Sequence, residues 1–194
     1  MRKLPPSRPS LFSRRFLRAE RGATAVEFAL VSLPMLVMIF GLLELALVFI
    51  ANTTLDNATS IAARQIRTGE FQTGGASTKD NFKTLVCSKM TWLQPRCAAD
   101  LWLDVRTYSN FAGLAATPPP NAALFNPANL CFSAGQPTDI VLVRAYFEWD
   151  LFTPLLDQAL ENMGAGSGKR LLSSTTAFRN EPFNQNLPVG ARCT

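Results

Sequence analysis

The chain has 194 residues, 47% of them hydrophobic, with 19 Lys/Arg, 14 Asp/Glu and no histidine. Without an imidazole, a Ser-His or Cys-His nucleophile pair is excluded. The net charge of +5 is confined to the start: residues 1–22 hold seven bases and Glu20, a balance of +6, leaving 12 bases and 13 acids, or −1, for the remainder. That distribution excludes a folded basic face for nucleic acid.

Residues 1–13 contain three prolines and scattered bases with no apolar period, and read as a disordered leader. Phe28 to Ala51 then form an apolar run with one charge, Glu44, and one proline, Pro34. As a helix this run is about 36 Å long, enough to cross a hydrocarbon core of about 30 Å. It is too long for a cleaved secretory signal, and no Ala-x-Ala site closes it. The basic flank keeps the N-terminus on the cytoplasmic side, so the chain after Ala51 is expected to be translocated. From Asn52 to Arg67 the pattern stays helical, with Leu55, Ala58, Ile61, Ala62 and Ile66 at three- and four-residue spacing, and Gly69 is a plausible stop. The membrane helix is therefore predicted to continue as an amphipathic stem.

Two acids interrupt the apolar character. Glu27 lies at the cytoplasmic edge of the run. Two readings stand for it: a carboxylate solvated at headgroup level, or one paired with an amine in an assembly of helices, which is favoured. Glu44 lies among leucines near the far end. It either snorkels outward or contacts a partner helix, and the second reading is favoured because acids inside a membrane segment mark functional contacts. Gly41 allows close helix approach.

The order Arg21-Gly22-Ala23-Thr24-Ala25-Val26-Glu27-Phe28-Ala29-Leu30, followed by Phe40-Gly41-Leu42-Leu43-Glu44-Leu45, resembles the TadE/TadG-like pilus assembly proteins, the pseudopilins of tight-adherence systems. The resemblance covers about residues 14–67, with a weaker echo at Phe178 to Phe183. It implies cleavage after Gly22 by a prepilin peptidase, a new amine at Ala23, and register-setting and assembly roles for Glu27, Phe28 and Glu44. It further implies a bacterial inner-membrane location with a periplasmic domain. The implied partners are the membrane, other pilins or pseudopilins and inner-membrane pilus assembly proteins, with no cofactor, metal, nucleic acid or small-molecule substrate. The E-type assignment rests on resemblance alone. The resulting division is a basic leader (1–22), a transmembrane helix (23–51) and an extracytoplasmic pilin-like α+β domain (52–194). The alternative is an uncleaved single-pass anchor displaying a periplasmic binding or scaffold domain.

Within the domain, Phe71 to Thr78 reads as a turn region. Ser77 and Thr78 offer a cap for a helix carrying Phe82, Leu85, Val86 and Met90 and ending before Pro95. Strands are predicted at 101–108, 139–149 and 171–180, and a helix over 155–163 capped by Thr153. Phe111 to Pro127, with three successive prolines, reads as a loop. The fold class expected is α+β, a small antiparallel sheet packed on the first helix. Cys87, Cys97, Cys131 and Cys193 all follow the membrane run, on the side where disulfides form. Three pairings are open; Cys87–Cys97 with Cys131–Cys193 is preferred because the first two lie close in sequence. Zinc is the weaker reading, since there is no CxxC spacing. The glycine-rich 164–170 stretch lacks the phosphate-loop pattern, because Met163 and Arg170 stand where Gly and Ser/Thr belong. Asp139, Glu148, Asp150, Asp157 and Glu161 are close in sequence, but nothing places two of them around a substrate. An enzyme is not expected. Asn52 and Asn57 fit glycosylation sequons but fall on the predicted helix.

Overall fold

A computed structural model describes residues 20–74, 77–153, 157–183 and 193. The predicted leader, the start of the predicted 155–163 helix and residues 184–192 lie outside the described residues. Two compact units are present, Met1–Leu43 and Glu44–Thr194.

The dominant element is helix α1, Glu20–Arg67, 48 residues with Pro34 inside it. Its segment Gly22–Arg67 is long and apolar enough to cross a membrane. Up to Leu43 most of its large apolar side chains are exposed, Phe28, Leu30 and Leu33 among them. From Glu44 onward α1 belongs to the second unit, and one stripe of it is covered: Ala51, Leu55, Ala58, Ala62 and Ile66 are fully buried. This keeps the spacing predicted for the stem except at Ile61, expected in the stripe but 41% exposed. Each of the larger side chains contributes about 1.5–3 kcal/mol by leaving water.

That stripe packs on a three-stranded antiparallel sheet in the order β1 (Leu101–Tyr108), β2 (Ile140–Asp150), β3 (Lys169–Arg179). Leu101 pairs with Phe147 and Tyr108 with Ile140, while Ile140 pairs with Arg179 and Asp150 with Lys169. Alternation puts Leu101, Leu103, Val105, Val141, Val143, Ala145, Phe147, Trp149 and Leu172 in one core with the helix stripe. The α+β class and all three strands are as the sequence indicates, with ends shifted by at most two residues. The sheet is matched to its helix in length, since β2 spans about 33 Å and the stretch of α1 from Glu44 to Arg67 about 35 Å.

The second sheet face is also covered, which explains the nearly unbroken apolar run of β2. Arg144 on that face donates to the carbonyls of Thr117 and Pro118, and Phe125 packs on Tyr146 at 5.2 Å between ring centroids. Burial pushes the Tyr146 hydroxyl up to about 12, against the opposing pull of the Arg144 charge. The free edge of β1 is occupied too: Val105 N–H donates to Cys131 O at 2.9 Å, and Ser133 N–H donates to Val105 O at 2.8 Å.

Short helices that the sequence does not announce begin beside the glycine and the proline that close the elements before them. Thr78 caps helix α3, Lys79–Lys89, as predicted, accepting from Asn81 N–H. Beyond a 3-10 turn, however, α4, Gln94–Asp100, begins with Pro95 in its first turn, where proline's missing N–H has no intrahelical partner to lose. Gly69, at φ +80°, stops α1 at Arg67 as predicted, but the 71–78 turn region then opens with a short helix α2, Glu70–Thr73. The predicted 111–127 loop contains helix α5, Phe111–Ala115, capped by Asn110. The predicted 155–163 helix is a single described turn, α6, Asp157–Leu160. Thr153 does not cap it through a described bond; its N–H is engaged by Glu44.

The Phe178–Phe183 stretch closes the far end of the domain. Glu181 N–H donates to Arg67 O at 2.9 Å, and Phe183 lies where a Cβ on Gly69 would come within 2.4 Å of its ring. Asn180, buried, donates from Nδ2 to Ala134 O (3.1 Å) and Gln136 O (3.0 Å). Asn180→Ala is therefore expected to remove two hydrogen bonds from the end of the domain and cost about 1–2 kcal/mol, read as a lower urea midpoint with an unchanged m-value. The loss is less than a full stranding, because Ala134 O keeps Gln72 Nε2 and Gln136 O keeps the Asp139 N–H. An unchanged midpoint would show that this stretch does not hold the end of the domain.

Candidate functional site

The sequence-derived candidates fall into three separate places. Gly22, Ala23, Glu27 and Phe28 lie in the first turns of α1 and are all exposed. A Cβ added at Gly22 would meet nothing within 4 Å. Helix packing therefore gives no reason for glycine there, and glycine in a helix costs about 1 kcal/mol relative to alanine. Glu27 is one turn from Ala23 on the same helix face, and among the described residues nothing pairs with it.

Glu44 sits in the second unit and is buried, with 2% of its surface exposed. Its Oε1 accepts from Phe152 N–H at 2.6 Å and its Oε2 from Thr153 N–H at 2.8 Å. This arrangement is neither of the two readings given from the sequence, snorkelling or the favoured contact with a partner helix. The carboxylate is consumed within its own chain, by a segment 108 residues away. The physical cause is clear: β2 ends beside this level of α1, and its two departing N–H groups have no sheet partner. A carboxylate satisfies both at once with charge-assisted bonds. No sequence signal announces this, because Phe152 and Thr153 contribute only backbone.

The cysteines form two bonds, Cys87–Cys97 with Cα atoms 5.6 Å apart and Cys131–Cys193 with Cα atoms 6.0 Å apart. The first joins α3 to α4, and the second ties the chain at 193 to the segment on the β1 edge. Asp104, nearly fully buried, supports that edge by accepting from Cys131 N–H at 2.9 Å and from Arg106 Nε at 3.0 Å.

The glycine-rich turn before β3 has its amides already engaged. Glu161 accepts from Gly166 N–H at 2.7 Å and from Gly168 N–H at 3.0 Å, and these bonds hold its carboxyl below the usual carboxylate range. A phosphate would need those same amides. Among the described residues, no group of three or more acids and cysteines is placed to hold a metal ion. Asn52, a sequon residue, lies inside α1 and donates to Asp56 at 3.2 Å.

The family model described as TadE-like protein matches residues 22–64. No curated protein and no solved structure matches the chain.

Proposed function

We propose that this chain, TadE-like over residues 22–64, is a minor pilin-like component needed for assembly of a tight-adherence type IV pilus. It inserts into the bacterial inner membrane with the basic leader inside and the domain in the periplasm. A prepilin peptidase then cuts after Gly22. The chain is the substrate of that reaction and not itself an enzyme.

Gly22 carries the reading. It stands exposed in a continuous helix with open space around its Cα, as the last residue of the basic leader and before the apolar run. A recognition requirement by a peptidase supplies the reason that packing does not. Cleavage removes the +6 leader and leaves an amine on Ala23. That amine is one turn from Glu27, close enough to pair with it or with the Glu27 of a neighbouring subunit, fixing axial register between helices. Phe28 and the other exposed apolar side chains of residues 23–43 then face lipid or neighbouring pilin helices.

The test is the mass of the N-terminal peptide from cells with and without the peptidase. A chain beginning at Ala23 is expected only in its presence, and Gly22→Ala should slow conversion while leaving the fold intact. An intact leader in both strains rejects processing and supports an uncleaved anchor displaying a binding or scaffold domain.

A further inference from the structure

The short segment after β2 is built for an environment without water. Leu151 N–H donates to Gly168 O at 2.8 Å, and Phe152 and Thr153 N–H donate to Glu44. The next residue, Pro154, has no N–H at all. Four successive residues thus offer no free backbone donor, although Phe152 itself is 62% exposed. On a water-facing loop such complete pairing of the N–H donors is unnecessary, because water satisfies them. In hydrocarbon it is obligatory, since each unpaired group there costs several kcal/mol.

The height of this segment along α1 agrees. Exposed apolar side chains continue on α1 through Leu45, Leu47, Phe49 and Ile50 before Asn52 and Thr53 begin the polar stem. From Phe28 to Ile50 the helix is about 33 Å long, close to one hydrocarbon core. Glu44 then lies about 9 Å inside the outer boundary. Trp92, 46% exposed, donates its indole N–H to Thr54 Oγ1 at 3.2 Å, which places it at the level where tryptophan concentrates between hydrocarbon and water. A continuous aromatic path descends from it: Trp92 to Trp149 at 5.9 Å between centroids, and Trp149 to Phe152 at 5.8 Å. Arg96 lies over Trp149 and pairs with Asp150, a charge set suited to the headgroup layer.

We infer that residues 151–153 are immersed in the outer leaflet, with Phe152 among lipid acyl chains, Trp92 at headgroup level, and Glu44 serving as the internal acceptor that lets this backbone leave water. The occupant of this apolar edge is lipid. The inference rests on the membrane insertion proposed above and adds that the domain enters the bilayer instead of standing clear of it.

Brominated lipids test it on the full chain reconstituted in phosphatidylcholine/phosphatidylglycerol vesicles. Phe152→Trp adds a fluorophore to an exposed position, and the emission gained over wild type reports its depth. Lipids brominated at mid-chain are expected to roughly halve that added emission, while aqueous acrylamide leaves it nearly unchanged. Quenching by acrylamide and not by bromolipid would place the loop in water and overturn the inference. Resistance to both quenchers would mean a second copy covers the edge, and would overturn it equally. Failure of the chain to float with the vesicles would instead reject membrane insertion itself.

Discussion

Glu44→Ala is expected to lower the stability of the domain by about 3–5 kcal/mol, which for a unit of this size shifts the melting point by roughly 10 °C or more. The mutation removes both acceptors of Phe152 and Thr153 N–H at a site that is almost fully buried. The two donors are left without partners, and the deleted carboxylate leaves a void beside α1. Glu44→Gln keeps one acceptor oxygen but sets an amide NH2 against the other backbone N–H, donor facing donor, so its effect should be intermediate. Thermal unfolding in micelles, followed through the near-UV signal of Trp149, reads this directly because that ring packs on Phe152. Equal melting points for wild type and Glu44→Ala would show that the carboxylate does not hold the loop. A residue that sets only helix-to-helix contacts would change assembly and leave the melting point alone.

Removing the Cys131–Cys193 bond should have an effect of similar size, from the other end of the chain. It closes a loop of 62 residues, for which chain entropy gives about 4 kcal/mol; the ten-residue Cys87–Cys97 loop gives about 3 kcal/mol by the same relation. The longer loop matters more because a free chain of that length samples many more arrangements before its ends meet. The bond also anchors a segment that does two further things. Cys131 O and Ser133 N–H complete the free edge of β1, and Phe132 joins the ring cluster of Phe71 and Phe82 at 6.1 and 5.7 Å. The double variant Cys131→Ala/Cys193→Ala is therefore expected to lose more of its urea midpoint than Cys87→Ala/Cys97→Ala. A non-reducing peptide map checks the pairing first, and a peptide linking Cys87 to Cys131 would remove the basis for the comparison.

The parts of this protein legible in its sequence are those in which a local pattern meets a local requirement. The 24-residue apolar run and the three- and four-residue stripe after it specify α1, because a helix buries one face whatever lies opposite. The branched and aromatic run of β2 specifies a strand covered on both sides. The roles proposed for Gly22 and Glu27 likewise rest on spacing along one helix. Thr78 announces α3, because a cap acts on residues only two or three positions away.

The rest depended on chain segments meeting across long separations. Proline and glycine carry two meanings each, and only the surrounding packing chose between them: Pro95 opens α4, and Gly69 turns the chain directly into α2 beneath Phe183. Asn180 is an unremarked polar residue until its amide meets the carbonyls of Ala134 and Gln136. Glu44 is the clearest instance. The sequence by itself determined that an acid interrupts an apolar helix and must find a partner. Which partner was decided by β2 ending beside that turn of α1 with two backbone donors unpaired, and backbone donors leave no mark in the identity of the residues that bear them.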